Sequence, residues 1–158
     1  MRRVVPPIAA WLLAIIPLAA SSTPAVDLAA RASGADRVVV ASVERVTAEY
    51  QRNRFGDELI VSHAEVVVSE VLKGRNNGQG ERLVMDVEGG TVGDITLTVS
   101  DEPAIRPGDR AVLFLRQNAG GRYTPHLRGL GILKLDSRNY VAGSTVSLAD
   151  IRSTVQGK

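Results

Sequence analysis

The 158-residue sequence contains no cysteine, which removes disulfides, thiolate nucleophiles, zinc fingers, iron–sulfur ligation and cysteine-linked lipid anchors together. Aromatic residues make up only 4% of it, too few for the stacking platforms that sugar sites favour. It has no long block of like charge, no low-complexity linker and no internal repeat. Past the amino terminus no apolar run approaches the ~20 residues that a membrane-spanning helix needs. No G-x-S-x-G elbow is present, so the strained nucleophile turn of many serine hydrolases has no counterpart.

The first 25 residues read as a leader. Arg2 and Arg3 form a basic start, and Ile8 through Leu18 form an almost unbroken apolar stretch. Small residues follow at Ala19, Ala20, Ser21, Ser22 and Ala25, as a signal peptidase requires. Cleavage after Ala20, Ser22 or Ala25 fits equally, and an uncleaved anchor is the alternative. The expectation is a signal peptide over 1–25, the general secretory route, a secreted or periplasmic location, and no membrane attachment after cleavage. Taking Arg2 and Arg3 away with the leader leaves 17 Lys and Arg against 17 Asp and Glu. The basic balance of the whole chain therefore belongs to the leader, and nucleic-acid binding loses its electrostatic warrant.

Residues 26–158 suit one domain, long enough to bury a core without disulfides. A helical turn or two is expected over Asp27 to Ala32. Arg37 to Tyr50 is rich in β-branched residues, with Val39, Ala41 and Val43 on one phase and Val46 and Ala48 on the other. Such a slip in a period of two predicts a bulge or bend in a long strand. Gln51 to Asp57 then reads as a hairpin tip, and Glu58 to Leu72 as the returning strand, with Ile60, Ala64, Val66 and Val68 on one face and His63, Glu65 and Ser69 on the other. Glu81 to Glu88 alternates cleanly, and Ile95, Leu97 and Val99 mark a shorter strand. Arg106-Pro107-Gly108-Asp109 has the residues of a type II turn and feeds Ala111 to Leu115, the most buried strand. After a turn at Asn118 to Arg122 another strand begins at Tyr123, and Ile132 to Leu135 with Tyr140 to Ala142 reads as a terminal hairpin. Ser147 with Asp150 resembles a capping box, and Leu148, Ile151 and Val155 form a helical stripe.

These elements predict a mainly all-β fold: a small antiparallel barrel of five to seven strands, with a short N-terminal helical segment and a C-terminal helix. A sandwich is the second choice. The order of signatures resembles a known family. Ala35-Asp36-Arg37-Val38-Val39-Val40 opens the first strand, Val67 to Gly74 reads VVSEVLKG, Glu88-Gly89-Gly90 follows, and Pro107-Gly108-Asp109-Arg110 leads into Val112-Leu113-Phe114-Leu115. Across residues 27–155 this resembles the netrin-like, or tissue-inhibitor-of-metalloproteinases-like, domain in its bacterial secreted form. The resemblance implies a Greek-key oligonucleotide/oligosaccharide-binding (OB) barrel. It also implies protease inhibition as a function class, but the animal inhibitors chelate the protease zinc through an N-terminal cysteine, which no residue here can replace.

Candidate chemistry is sparse. His63 and Glu65 share one side of a strand, as half of a metal site or an acid/base pair would, but an ordinary solvated pair looks the same. His126, Asp136 and a serine such as Ser144 are the pieces of a triad scattered along the chain. Gly129-Leu130-Gly131 is a fragment of a dinucleotide fingerprint and reads as a turn. Asp86 and Glu88 share a strand face, as glycosidase acids do, and as solvated acids commonly do. The hairpin tip carries the stronger signal. Tyr50, Arg52, Arg54 and Phe55 place aromatic and guanidinium groups, the commonest binding anchors, on a projecting segment. The alternative is a mobile loop whose aromatic folds back on the barrel. The expectation is an exported, non-enzymatic module without a cofactor that binds a protein partner, a secreted protease being the class that the resemblance implies. The competing expectation is a structural envelope protein or a subunit of an exported assembly.

Overall fold

The computed structural model describes residues 27–53, 55–75 and 79–157. The leader expected over 1–25 lies outside them. In chain order the elements are α1 (Leu28–Gly34), β1 (Arg37–Arg52), β2 (Glu58–Lys73), β3 (Arg82–Glu88), β4 (Gly90–Val92), β5 (Ile95–Leu97), β6 (Arg110–Gln117), β7 (Tyr123–Pro125), a 3-10 turn (Arg128–Gly131), β8 (Ile132–Lys134) and α2 (Leu148–Gln156). The fold is mainly β. Among the described residues no helix is long and apolar enough to cross a membrane.

Five strands close a ring. β1 pairs with β2 on one edge and β6 on the other, β2 with β3, β3 with β7, and β7 with β6. Every pairing is antiparallel except β3 with β7, which run parallel at Met85 and Tyr123. That corrects the expectation of an antiparallel barrel, and the reason is parity. In a ring with an odd number of strands, directions cannot alternate all the way round, so one neighbouring pair must run the same way. β8 extends the β6 edge beyond β7, at Ala111 to Leu113.

β1 is long enough to serve both neighbours because it is irregular. Val43 pairs with Val66 and Arg45 with Glu65, so Glu44 is the extra residue of a bulge. This is the phase slip visible between Val43 and Val46, and it re-aims the strand. Before the bulge β1 is paired on both edges. Beyond it the strand continues with β2 as a two-stranded arm to Arg52 and Glu58.

Alternate residues of β1 and β6 enter two different cores, which is why both strands read as continuous apolar runs. Val39, Ala41, Val43, Ala111, Leu113 and Leu115 pack with Ala64, Val66, Val68, Leu83, Met85 and Val87 inside the ring. Val38, Val40, Val112 and Phe114 face the other way, under Leu28 and Ala32 of α1 and Leu148 and Ile151 of α2. Both helices are pinned by charge. Lys73 Nζ donates to the carbonyls of Ala32 at 2.6 Å and Ala35 at 2.8 Å, capping the end of α1 where a cation also suits the helix dipole. Arg152 of α2 forms a two-pronged pair with Glu70 of β2 at 2.8 and 2.6 Å. Ser147 and Asp150 form the expected capping box.

The turn before β6 forms as its residues predict. Asp109 N–H donates to the Arg106 carbonyl at 3.1 Å, and Gly108 takes the left-handed φ of +89° that position requires. The terminal hairpin is slighter than expected. Leu135 and Val141 form a single bridge rather than a strand pair, because the Asp136 carboxylate turns the chain by accepting from the N–H groups of Arg138 and Tyr140. The segment Gly90 to Val92, expected to lie beyond the end of a strand, instead pairs with β5.

Candidate functional site

The arm formed by β1 and β2 ends in a tip whose backbone is organised by one side chain. Asn53 Oδ1 accepts from the N–H groups of Phe55 at 2.8 Å and Asp57 at 2.9 Å, and its Nδ2 donates to Asp57 Oδ2 at 3.0 Å. This is the turn-forming use of asparagine. On it Phe55 is 75% exposed and Tyr50 46%, so neither aromatic folds back onto the ring. Arg52 stands in solvent, 3.7 Å from Glu58. Arg54 lies outside the described residues.

His63 does not pair with Glu65. Glu65 accepts from Arg45 across the strands at 2.5 Å, whereas His63 sits opposite Asp86 of β3 with Nδ1 2.7 Å from Asp86 Oδ1. Its Nε2 lies 3.2 Å from Glu49, and Arg122 reaches Asp86 at 3.0 Å. Cross-strand register, not spacing along β2, chose the partners. The Glu49 carboxyl is held below its ordinary range by hydrogen bonds from Gln51 and His63. Among the described residues no group of three or more His, Asp and Glu is arranged to hold a metal.

The scattered triad pieces each have other work. The His126 ring packs on Gly34, and burial pushes its pKa down, Arg116 adding to that. The Asp136 carboxylate is used within its own turn, and Ser144 Oγ accepts from the Val146 N–H. Gly129-Leu130-Gly131 is the 3-10 turn, not the start of a long helix. Asp86 belongs to the His63 cluster, and Glu88 is taken by Arg128 at 2.7 Å.

A feature that sequence reasoning missed lies on the side of the ring covered by β4 and β5. There a cleft of about 410 Å³ is lined by Val46 and Ala48 of β1, Ser62 of β2, Val87 and Glu88 of β3, the β4–β5 hairpin, and the loop from Thr98 to Arg106. Its walls are aliphatic and hydroxyl-bearing. Among the described residues no aromatic lines it. Glu102 lines it with a side chain only 6% exposed, and among the described residues its buried Oε2 has no hydrogen-bond partner. Arg128 serves three carboxylates here, at 2.7 Å from Glu88, 3.3 Å from Asp101 and 3.6 Å from Glu102 Oε1. Burial lifts the Glu102 carboxyl above the ordinary carboxylate range. Arg128 opposes that, and Asp101 and Glu88 add to it.

The backbone that delivers Arg128 is strained. Leu127 and Arg128 both take left-handed φ, +60° and +56°, a conformation that non-glycine residues adopt rarely. The next residue is Gly129, where any Cβ would overlap the Asp101 carbonyl oxygen. The 3-10 turn and the acidic loop are thus pressed together backbone to backbone.

No protein-family model matches the chain, and no curated protein matches it.

Proposed function

We propose that this chain is an exported, non-enzymatic binding module on an OB-type, Greek-key barrel, and that it engages a protein partner through the tip of the β1–β2 arm. The observation that carries the reading is the tip itself. Asn53 fixes the turn, and Phe55 and Tyr50 stand exposed on it. Aromatic anchors on a preorganised segment lose little entropy on binding, which is how a small patch gains affinity. The ring order, with β1 between β2 and β6 and a parallel β3–β7 pair, supports the OB-type assignment and with it the netrin-like resemblance. That resemblance makes a secreted protease the partner class to try first.

The test is affinity capture from the secreted and periplasmic fractions of the producing cells. Wild-type bait is compared with Tyr50→Ala/Phe55→Ala, with a protease panel run alongside. The double variant should melt within about 0.5 kcal/mol of wild type, as exposed positions do, yet lose the captured protein. Capture that survives the double substitution overturns the assignment of the tip.

A further inference from the structure

We propose that an extended segment of the protein partner adds as an antiparallel strand to the free edge of β1 between Val46 and Tyr50, its alternate apolar side chains entering the cleft beside the β4–β5 hairpin. The inference rests on the reading of the β1–β2 arm as the partner-binding element and supplies the mode of binding.

The direction of the backbone groups comes first. In antiparallel strands, residues directly opposite one another either bond to each other or both point away. Gly89 N–H donates to the Ile60 carbonyl at 2.8 Å, so Ile60 points toward β3, and Tyr50, opposite it, points toward the free side of β1. Ser62 and Ala64 share the phase of Ile60, so their partners Ala48 and Val46 also turn N–H and C=O outward. β6 ends its pairing with β1 at Ser42, and the last bonds on that side join Val43 to Gly108 and Asp109. Among the described residues no backbone group pairs with the outward groups of Val46, Ala48 and Tyr50. Donors and acceptors repeated at strand spacing are matched by another strand, and an edge of this kind is a template for one.

The side chains of β1 select the incoming segment, because directly opposed side chains lie on the same face. Val46 and Ala48 line the cleft of about 410 Å³, together with Leu97, Val99 and Ile105. Residues set against Val46 and Ala48 therefore enter an aliphatic hollow and are apolar. The other face of β1 carries Arg45, 65% exposed, and Glu49, 61% exposed, on either side of Thr47. Each has a neighbour on β2, Glu65 and His63, and the free edge leaves its other side open. An antiparallel segment with a base opposite Glu49 and an acid opposite Arg45 meets both charges, whereas the reverse order sets like against like twice. From its amino end, the segment that fits reads apolar, basic, apolar, polar, apolar, acidic, with its first residue opposite Tyr50 and its last opposite Arg45.

The experiment titrates the full chain with acetyl-Val-Lys-Val-Thr-Val-Glu-amide, following backbone amide resonances and amide hydrogen exchange. Saturable shifts at Leu97 and Ile105 are expected, with exchange slowed at Val46, Ala48 and Tyr50 and unchanged at Thr47, whose N–H already faces β2. The isomer with Lys and Glu exchanged should bind about threefold or more weaker, the loss of two cross-strand ion pairs. N-methylation of the middle valine, whose N–H faces Ala48, should weaken binding about tenfold or more, whereas N-methylation of the threonine, whose N–H faces away, should leave most of it. Ala48→Pro removes an outward N–H at the kind of edge position that tolerates proline and should abolish binding. The N-methylated peptides test the same bond on the unaltered protein should that variant not fold. Absence of saturable binding, equal loss from the two N-methylations, or equal affinity of the two charge isomers overturns the proposal. So does a dimer of the free protein, seen by sedimentation, that Ala48→Pro disperses, since the edge then belongs to a second copy. Partner capture lost in Tyr50→Ala/Phe55→Ala but kept in Ala48→Pro overturns strand addition and leaves the assignment of the tip standing.

Discussion

Arg37 is a buried charge held by several partners, and removing its partner should be far worse than removing the pair. Its side chain is 6% exposed. Nη1 donates to Glu81 Oε1 at 3.0 Å and Nη2 to Glu81 Oε2 at 2.6 Å, with further bonds to Tyr123 Oη at 3.3 Å and the Arg75 carbonyl at 3.2 Å. The guanidinium also lies 5.7 Å from the Tyr123 ring centre. The Glu81 hydrogen bonds raise its pKa above an already high ordinary value, so the group stays charged whatever surrounds it. Glu81→Ala therefore strands a buried cation. Breaking a fully buried pair costs about 3–5 kcal/mol, and because the Glu81 side chain is 19% exposed, some water reaches the gap and the lower figure, about 3 kcal/mol, applies. At roughly 4 °C per kcal/mol for a domain of this size, the melting temperature should drop by about 12 °C. Arg37→Met should cost less, since Glu81 is the partner nearer to solvent. Arg37→Met/Glu81→Leu should recover at least half of the Glu81→Ala loss, because apolar pairs of similar volume replace buried ion pairs at little cost. The measurement is urea unfolding with thermal melts on all three variants. A Glu81→Ala loss under about 1 kcal/mol, or a double variant no better than that single one, would refute the argument that desolvated charge governs this site.

Two further predictions concern Glu102 of the cleft and the 3-10 turn. The folded Glu102 carboxyl titrates above the ordinary value of 4.5, so the native state holds that proton more tightly than the unfolded chain does. Its contribution to stability is full below about pH 4.5 and is lost as pH rises through the folded value. Urea melts across pH 4 to 8 should accordingly show Glu102→Gln gaining on wild type as pH rises, and a constant difference would count against a buried carboxyl. Gly129→Ala must separate the 3-10 turn from the Asp101 carbonyl and should cost about 2–3 kcal/mol as overpacking. Gly120→Ala, whose Cβ would stand 3.4 Å from Asn118 Oδ1, should stay within about 0.5 kcal/mol, and equal effects from the two would mean that the contact is not tight.

Features with a local cause were legible in the sequence. The shift of apolar phase after Val43 marked the bulge at Glu44, Pro107-Gly108 marked the turn into β6, and Ser147 with Asp150 marked the start of α2. The alternation of Leu83, Met85 and Val87 gave their inward face correctly. What depends on pairing was not legible. Nothing in His63 says that Asp86 stands opposite it, because the register between β2 and β3 is decided by the burial of Ala64, Val66, Leu83 and Met85. The parallel β3–β7 contact follows from counting strands around a closed ring, and closure cannot be read from any one segment. β4 and β5, three residues each, are too short to show a period.

The cleft stayed hidden for a related reason, and the same reason separates it from the hairpin tip. Its parts come from Val46, Ser62, Glu88, Glu102 and Ile105, which meet only when the ring has closed, and in a linear reading Glu102 is one acid among many in a polar loop. At the tip the described residues follow local rules: Asn53 organises the turn, Gly56 takes the positive φ, and Arg52 stands beside Glu58. Beside the cleft three preferences are violated where the 3-10 turn meets the acidic loop, by the left-handed backbone at Leu127 and Arg128, the Glu102 oxygen that has no partner among the described residues and the contact that forbids a side chain at position 129. The three meet in space, because Arg128 lies 3.6 Å from Glu102 and position 129 abuts the Asp101 carbonyl. Departures from local consistency concentrate where something beyond folding constrains the chain, so the contact between the 3-10 turn and the loop at Asp101 and Glu102 is where substitutions should separate strain kept for packing from strain kept for another purpose.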